Sequence, residues 1–314
     1  MKQNKNQSEC KKIICPKCNS TNIIKWCKRK TDNRGLIQRY KCKDCEKYFV
    51  IDDGFYRMRN SPQKITCAMD LYFKGLSTRK VQDHFQAFYP HNSSWVSIYN
   101  WVIKYSKIIH NFTDKLNLNV GYEVQVDEVE YKRRKAHQKG EKGVEDDFFI
   151  DSIDPDTKFM IASNYVKSRG NKEIEEVMKR IKQKTETEDK KQIKKVTTDG
   201  LLNYENVIKG VWGYNNKLGK YNVIHHKVVT GKEETFNYPI ERLHNTIRKR
   251  TKIMRGFHGD VNSANAIMKG YEVYYNFIKK HMTINCCPYE LATDLILTSN
   301  NKWIELINLA NKSI

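Results

Sequence analysis

Three acidic residues stand at positions from which their side chains could hold divalent metal ions. Asp127 lies in a strand-like run, Asp199 ends a short apolar run, and Glu241 opens a basic helical stretch. Three carboxylates of this kind can hold two ions about 3.5 to 4 Å apart, which stabilises both the attacking and the leaving oxygen of phosphoryl transfer. The pattern therefore predicts that all three acids are catalytic and bind metal ions, at a site that acts on DNA.

Each of these acids, taken alone, also has an ordinary structural explanation as an alternative to metal binding. An Asp at a strand end, such as Asp199, usually forms a turn or a cap, and a Glu in a first helical turn complements the helix dipole. Glu128 competes with Asp127, although alternation along a strand places the two side chains on opposite faces. Ordinary hairpin roles are open for Asp151 and Asp154. The occurrence of three acids together favours the metal site.

The helix that begins near Glu241 carries residues suited to a polyanionic substrate. Glu241, Asn245, Arg248 and Lys252 follow one another at i, i+4, i+7 and i+11, which places them on one stripe of the helix. Arg250 belongs to the same basic run, which contains no acid after Glu241. Because such a run is expected to clamp phosphates, we predict that Asn245, Arg248, Arg250 and Lys252 bind DNA.

Three histidines lie near the predicted site in the sequence. His225 and His226 fall in a predicted strand, and His244 follows Glu241 by one helical turn. Packing in the core, contact with substrate and support of a metal ligand all remain open for these three side chains.

The elements that must position the acids follow from the spacing of apolar residues. The pattern predicts strands at 122–131, 147–153, 159–165, 195–198 and 222–229, and helices at 171–184 and 204–211. Three strands followed by alternating helices and strands is the order of ribonuclease-H-like domains. The predicted fold class is therefore α/β, with a mixed five-stranded sheet and flanking helices.

Two Cys-x-x-Cys pairs precede this domain. Cys15 and Cys18 form the first pair, and Cys42 and Cys45 form the second. Two such pairs predict a tetrahedral Zn²⁺ site, and four thiolates leave no open position for catalysis. We therefore expect a structural zinc ribbon with short strands between the pairs. Four unrelated buried or redox-active cysteines are the alternative.

A helical pattern follows the ribbon. Gln63–Phe73 has helical spacing, Gly75 ends that helix, and Ser77 can cap a second one. This arrangement predicts a helix-turn-helix module, whose third helix begins near Ser94. The residues of that helix expected to face a DNA groove are Ser97, Asn100 and Lys104. A plain helical hairpin packed on the catalytic domain is the alternative.

Composition limits the class of partner. The 314 residues include 57 Lys and Arg against 36 Asp and Glu, a formal net charge of +21. This charge indicates nucleic acid as the partner, although part of the excess reflects a chain rich in Lys, Asn and Ile. The polar N-terminus predicts no secretory signal. The nine cysteines in a large, signal-free chain indicate a reducing cytoplasm rather than a disulfide framework.

Changes in these patterns predict five segments. They are a basic flexible tail at 1–14, the zinc ribbon at 15–50, the helix-turn-helix module at 60–112, the catalytic domain at 120–285 and a C-terminal helical extension at 286–314.

Short motifs in this order resemble a known family, the DDE transposases of bacterial and archaeal insertion sequences, in particular the type related to insertion sequence six. The motifs are Gly75–Arg79, Val126–Glu128, Thr198–Gly200, Ile240–Asn245, Lys249–Phe257 and Ser263–Ala264, and the resemblance covers about residues 63 to 285. It implies that Asp127, Asp199 and Glu241 bind two Mg²⁺ or Mn²⁺ ions and that Arg248 contacts DNA. The intervals between the three acids, 72 and 42 residues, are longer than the family's usual ones. The zinc ribbon occurs only in some relatives.

The expected function is that of a DNA transposase that binds element ends and catalyses metal-dependent strand cleavage and strand transfer. Its expected partners are double-stranded DNA, as terminal inverted repeats and as target, and a second copy of the chain, because two ends must meet. Its expected location is the cytoplasm, at the nucleoid. The alternatives are a DNA-binding regulator without activity, a domesticated inactive transposase, and a ribonuclease-H-like nuclease that cleaves without joining.

Overall fold

The computed structural model describes residues 13–31, 35–89, 93–134, 144–186, 193–228, 238–254, 256–258 and 260–312. The chain divides into two compact units, Met1–Lys64 and Ile65–Ile314. Most of the predicted basic tail lies outside the described residues, and the predicted segment boundaries stay predictions. Within the described ranges, no helix is long and apolar enough to cross a membrane.

The first unit contains a small antiparallel sheet of three strands. These are β1 (Ile23–Thr31), β2 (Gly35–Cys42) and β3 (Tyr48–Phe49), in the order β1-β2-β3. The two cysteine pairs flank the sheet, since one precedes β1 and the other lies at the turn between β2 and β3. Of the described residues between 15 and 50, Cys15 and Cys42 alone are buried. The sheet therefore has almost no apolar core of its own.

Three helices follow, α1 (Pro62–Phe73), α2 (Thr78–Phe88) and α3 (Trp95–Thr113), and all of them except the first three residues of α1 belong to the second unit. Gly75 has a φ of 120°, in the region that favours glycine, and it turns the chain sharply after α1. Each following helix has a serine cap, because Ser77 accepts from the Lys80 N–H and Ser94 accepts from the Ser97 N–H.

A mixed sheet forms the centre of the second unit. Its elements in chain order are β4 (Glu123–Arg134), β5 (Val144–Ile153), β6 (Met160–Val166), α4 (Asn171–Thr185), β7 (Lys195–Thr198), α5 (Leu202–Trp212), β8 (Tyr214–Asn215), β9 (Lys220–Tyr221) and β10 (Ile224–Lys227). The strand order is β10-β7-β4-β5-β6. β4, β5 and β6 are antiparallel, whereas β7 and β10 run parallel to β4. The predicted α/β class and ribonuclease-H-like order are confirmed, with β8 and β9 as an added small hairpin.

The last elements pack against the sheet and the opening helices. They are α6 (Tyr238–Met254), β11 (Phe257–His258), α7 (Val261–Val273), a π-helical turn (Tyr274–Ile278), α8 (Tyr289–Ala292) and α9 (Lys302–Lys312). Gly270 of α7 lies so close to α1 and α3 that a Cβ there would stand 2.1 Å from Ser106 Oγ and 2.4 Å from Phe73. Trp303 of α9 stacks on Phe73 at 5.6 Å. The opening helices thus share one core with the sheet domain.

Buried charges fix α7 against β6. Lys269 Nζ lies 3.2 Å from a carboxylate oxygen of Glu272, and Ser163 Oγ donates to the same oxygen at 2.6 Å. Burial would raise the pKa of Glu272, but the neighbouring positive charges, of which Lys269 is the strongest, and the Ser163 hydroxyl together outweigh that effect and lower the pKa. The charges are paired and hydrogen-bonded inside the unit, so they hold α7 in one position relative to the sheet.

Candidate active site

Parallel pairing of β7 with β4 brings two of the predicted catalytic acids together. Gln125 of β4 pairs with Thr197 of β7, which places Asp199 level with Asp127 two residues further on. Carboxylate oxygens of Asp127, Glu128 and Asp199 all lie within 4.8 Å of one another. Asp199 is held in place because its Oδ1 accepts from the Leu201 N–H at 3.0 Å. We name these three side chains the carboxylate cluster.

The carboxylate cluster has the chemistry of a divalent-cation site. Burial raises the pKa of Asp127 to about 6, and the negative charges of Asp151 and Glu128 add to that effect. A bound cation would offset this repulsion and favour the ionised form. Mg²⁺ binds oxygens at about 2.1 Å, so pairs of its ligands stand about 3 to 4.2 Å apart. The three carboxylate oxygens, which lie within 4.8 Å of one another, are near that spacing.

Glu128 is already engaged by the protein. Its Oε1 accepts from Arg169 Nη1 at 3.0 Å, and its Oε2 accepts from the Tyr204 hydroxyl at 2.6 Å. Tyr204 is buried in α5, so its hydroxyl holds the Glu128 carboxylate in place. The Asp127 carboxylate accepts from the Glu128 N–H at 2.9 Å and lies 3.4 Å from His244 Nδ1. Both contacts are longer than that between Tyr204 and Glu128. This difference favours Asp127 over Glu128 as the metal ligand that β4 supplies.

His244 enters the site from α6. Its ring is buried, with Nε2 2.7 Å from Asp151 Oδ1 and Nδ1 3.4 Å from Asp127 Oδ2. Asp151 pairs directly with Asp127 across β4 and β5, so both carboxylates lie on the face that α6 covers. Burial lowers the pKa of His244, but the carboxylates of Asp151 and Asp127 outweigh it and raise that pKa. The imidazole therefore bridges two acids and orients Asp127.

Glu241 lies apart from the carboxylate cluster. It is exposed in the first turn of α6, and among the described residues its carboxylate is not within the 4.8 Å group. The helix itself is fixed over the cluster, because the Ile240 N–H donates to Gln125 Oε1 at 3.3 Å and His244 reaches Asp127. Glu241 thus stands on an element anchored at the site, one turn before the histidine.

The other predicted DNA-binding residues of α6 divide between its surface and its interior. Asn245, Arg248 and Lys252 are exposed on the same stripe as Glu241. Arg250 is only 6% exposed, and its guanidinium lies 4.2 Å from the centre of the Tyr72 ring. The structure therefore keeps Arg250 between α6 and α1, away from the exposed stripe.

The predicted groove-facing residues of α3 lie near its start. Asn100 and Lys104 are exposed and one turn apart, with Lys104 Nζ 5.0 Å from the Tyr105 ring centre. Ser97 is half-buried, and its hydroxyl lies 3.0 Å from that of the capping Ser94. Two of the three side chains are thus accessible, and the third is part of the helix cap.

Two further histidines lie beside Asp199. On β10, His225 and His226 pair with Val196 and Thr197 of β7. His225 Nε2 is 3.0 Å from the hydroxyl of Thr198, the residue before Asp199. His225 thus contacts the strand end that presents Asp199, whereas His244 contacts Asp127.

The four predicted zinc ligands come together in the first unit. The sulfurs of Cys15 and Cys45 are 3.5 Å apart, those of Cys18 and Cys42 are 3.6 Å apart, and all four lie within 4.8 Å of one another. Tetrahedral Zn²⁺ with Zn–S bonds of about 2.3 Å requires sulfurs about 3.8 Å apart. The group fits that ion. Although burial alone would raise the pKa of Cys15, backbone N–H donors of Lys17 and Cys18 and the neighbouring sulfurs together lower it to about 6, whereas the pKa of Cys18 is raised.

Comparison with known proteins supports the interpretation of this site. Residues 146–281 match a family model described as a DDE domain, that of the IS240 type. The resemblance to DDE transposases is confirmed over this segment, which contains Asp199 and Glu241 but begins after Asp127. The match supports a transposase.

The similarity to solved structures is weak. One similar structure is the crystal structure of the Mos1 strand transfer complex, with 6% identity over 68% of this chain and 76% of that chain, at a TM-score of 0.22. That TM-score is too low for a structural inference. No curated protein matches the chain.

Proposed function

We propose that this protein is a DNA transposase that binds the ends of its own element and catalyses strand cleavage and strand transfer. One observation carries the proposal: the β4–β7 pairing brings Asp199 to Asp127, in a domain whose sequence matches the DDE family over residues 146–281. The exposed basic stripe of α6 beside these acids supports DNA as the substrate, because Arg and Lys side chains bind phosphates.

In the proposed site, Asp127, Asp199 and Glu241 hold two divalent ions, Mg²⁺ or Mn²⁺. Those ions, when bound, stabilise charge on the attacking and leaving oxygens of the phosphodiester. His244 orients Asp127, and Glu128 ties β4 to α5 through Tyr204. Arg248 and Lys252 align the DNA backbone over the carboxylate cluster. The ribbon and α3 bind the element ends, and two copies of the chain hold two ends.

A strand-transfer assay tests this proposal against its rivals. The full-length protein is incubated with Mg²⁺, a target plasmid, and donor DNA carrying its gene with the flanking sequences. We expect donor ends joined to target DNA, detected by sequencing the junctions, and no product when EDTA replaces Mg²⁺. Cleaved donor without junctions would indicate a nuclease. Bound but uncut donor would indicate a regulator or an inactive, domesticated transposase.

His244→Ala should slow strand transfer without weakening DNA binding. Loss of a side chain that orients a metal ligand typically lowers metal affinity or activity by about 10- to 100-fold. We therefore expect a slower single-turnover joining rate and a higher Mg²⁺ concentration for half-maximal rate. Fluorescence anisotropy should give an unchanged dissociation constant for donor DNA.

The matched control is His281→Ala, which removes a half-exposed imidazole of the same unit that makes no contact with the carboxylate cluster in the described structure. It should leave the Mg²⁺ dependence as it is in the unmodified protein. An unchanged Mg²⁺ dependence in His244→Ala as well would show that the histidine merely fills space.

A further inference from the structure

The ribbon sheet carries exposed aromatic rings with no described apolar partner that covers them. Trp26 of β1 is 53% exposed and Tyr48 of β3 is 40% exposed. The two rings meet edge to face, with centres 5.4 Å apart. Exposed neighbouring rings of this size are uncommon on a surface without a binding role, and such a pair forms a defined contact surface.

An irregularity in β1 places Trp26 on this surface. Pairing between β1 and β2 shifts between Lys25 and Cys27, so Trp26 is the extra residue of a β-bulge. Bulges re-aim a side chain relative to a regular strand. Here the bulge brings the indole beside Tyr48 and Lys41, which are themselves paired across β2 and β3.

Cations frame both rings. Lys41 Nζ lies 5.8 Å from the Trp26 ring centre and 5.5 Å from that of Tyr48, and the Arg39 guanidinium lies 5.7 Å from the Tyr48 ring centre. Glu46, 3.2 Å from Lys41, is the main cause of the raised pKa of that lysine and keeps it charged. We name Trp26, Arg39, Lys41 and Tyr48 the aromatic face.

The charge around the aromatic face fits a polyanion. Residues 15–50 contain ten Lys and Arg against three Asp and Glu. Duplex DNA would satisfy these cations through its phosphates but would hide its bases from the rings. A single strand offers both, because unpaired bases stack on aromatic side chains while the backbone follows basic residues.

We propose that the aromatic face binds the unpaired bases of a single DNA strand. The proposal deepens the function proposed above by naming the form of DNA that the ribbon contacts, and it rests on that function only for the choice of DNA. Strand cleavage at an element end would expose such a strand.

Binding measurements without chemistry test this proposal. The full-length protein is titrated, without Mg²⁺, into a short labelled DNA strand of mixed sequence and into its duplex, and anisotropy gives both dissociation constants. Stacking contributes about 1–3 kcal/mol per base, so Trp26→Ala should weaken single-strand binding roughly 5- to 100-fold. Duplex binding should change much less. Trp26→Phe, which keeps a ring, should restore most of the affinity.

Two variants separate stacking from charge and from loss of apolar surface. Lys41→Gln should lower the salt dependence of single-strand binding by about 0.7 in the logarithmic slope, whereas Trp26→Ala should leave that slope unchanged. Leu36→Ala, which removes a 66% exposed apolar side chain of the same sheet, should leave both affinities unchanged. Bound zinc, measured for each variant, shows that the ribbon is folded, and Tyr48→Ala, which removes the second ring of the aromatic face, replaces Trp26→Ala if that variant has lost zinc.

Two results would overturn the proposal. One is equal single-strand affinity in Trp26→Ala and the unmodified protein, and the other is an equal loss for single strand and duplex. Because no strand is cut or joined, the outcome does not depend on whether the carboxylate cluster is active.

Discussion

Asp199→Asn is expected to abolish strand transfer, while the protein remains folded and binds donor DNA as before. Asparagine keeps the Oδ1 that accepts from the Leu201 N–H, so the turn after β7 is preserved and only the negative charge is lost. Losing one carboxylate of a metal site removes several kcal/mol of transition-state stabilisation. Since about 1.4 kcal/mol is tenfold in rate, we expect a loss of at least about a thousandfold.

The measurement is the single-turnover rate of junction formation in Mg²⁺, with donor affinity measured in parallel. Asp156→Asn is the matched control, because it makes the same change at an exposed carboxylate in the β5–β6 turn. Its rate should equal that of the unmodified protein. Undiminished joining by Asp199→Asn would remove the basis of the proposed active site.

The same assay decides between Asp127 and Glu128, the two acids of β4 that belong to the carboxylate cluster. Asp127→Asn should match Asp199→Asn, because the β4–β7 pairing places these two carboxylates level with each other. Glu128→Gln should cause a smaller loss, since its two oxygens are held by Arg169 and Tyr204 rather than free for an ion. Glu241→Gln should again abolish joining if α6 supplies the third ligand.

Sequence patterns predict this fold well where local physics sets the structure. The sequence pattern places β7 and α4 within a residue of their observed bounds, because α4 buries one face and Val196–Thr198 of β7 form a continuous buried run. Helix α7 is different. Most of its residues are buried on all sides, so it shows no apolar stripe by which a sequence could reveal it.

The site is predictable only in part, because its contacts depend on register and packing. The sequence position of Asp151 suggests an ordinary hairpin residue, yet in the structure it lies buried opposite Asp127 in the β4–β5 pair. That pairing depends on the register of β5 against β4, which side-chain alternation does not determine. From the sequence, Arg250 and Lys252 have the same predicted role in DNA binding, but of these two only Arg250 is buried, by its contact with Tyr72.

Cys42→Ser should unfold the ribbon and leave the second unit intact. Among the described residues from 15 to 50 only Cys15 and Cys42 are buried, so the sheet cannot be stabilised by an apolar core. Zinc binding supplies about 10–16 kcal/mol in small domains of this kind, where metal binding and folding are the same process. Removing one thiolate should therefore remove both the zinc and the fold of β1 and β2.

Metal analysis and hydrogen exchange measure the two effects separately. The unmodified protein should hold one zinc ion per chain and Cys42→Ser none, and amides of β1 and β2 should lose protection while those of β4 keep it. Cys27→Ser is the matched control, because Cys27 is an exposed thiol of the same sheet outside the group of four sulfurs. Retained zinc in Cys42→Ser would mean that the four cysteines are not the ligands. The contacts of β4 lie within the second unit, so its protection should not depend on the metal. Lost protection in β4 would mean instead that the ribbon stabilises the catalytic domain.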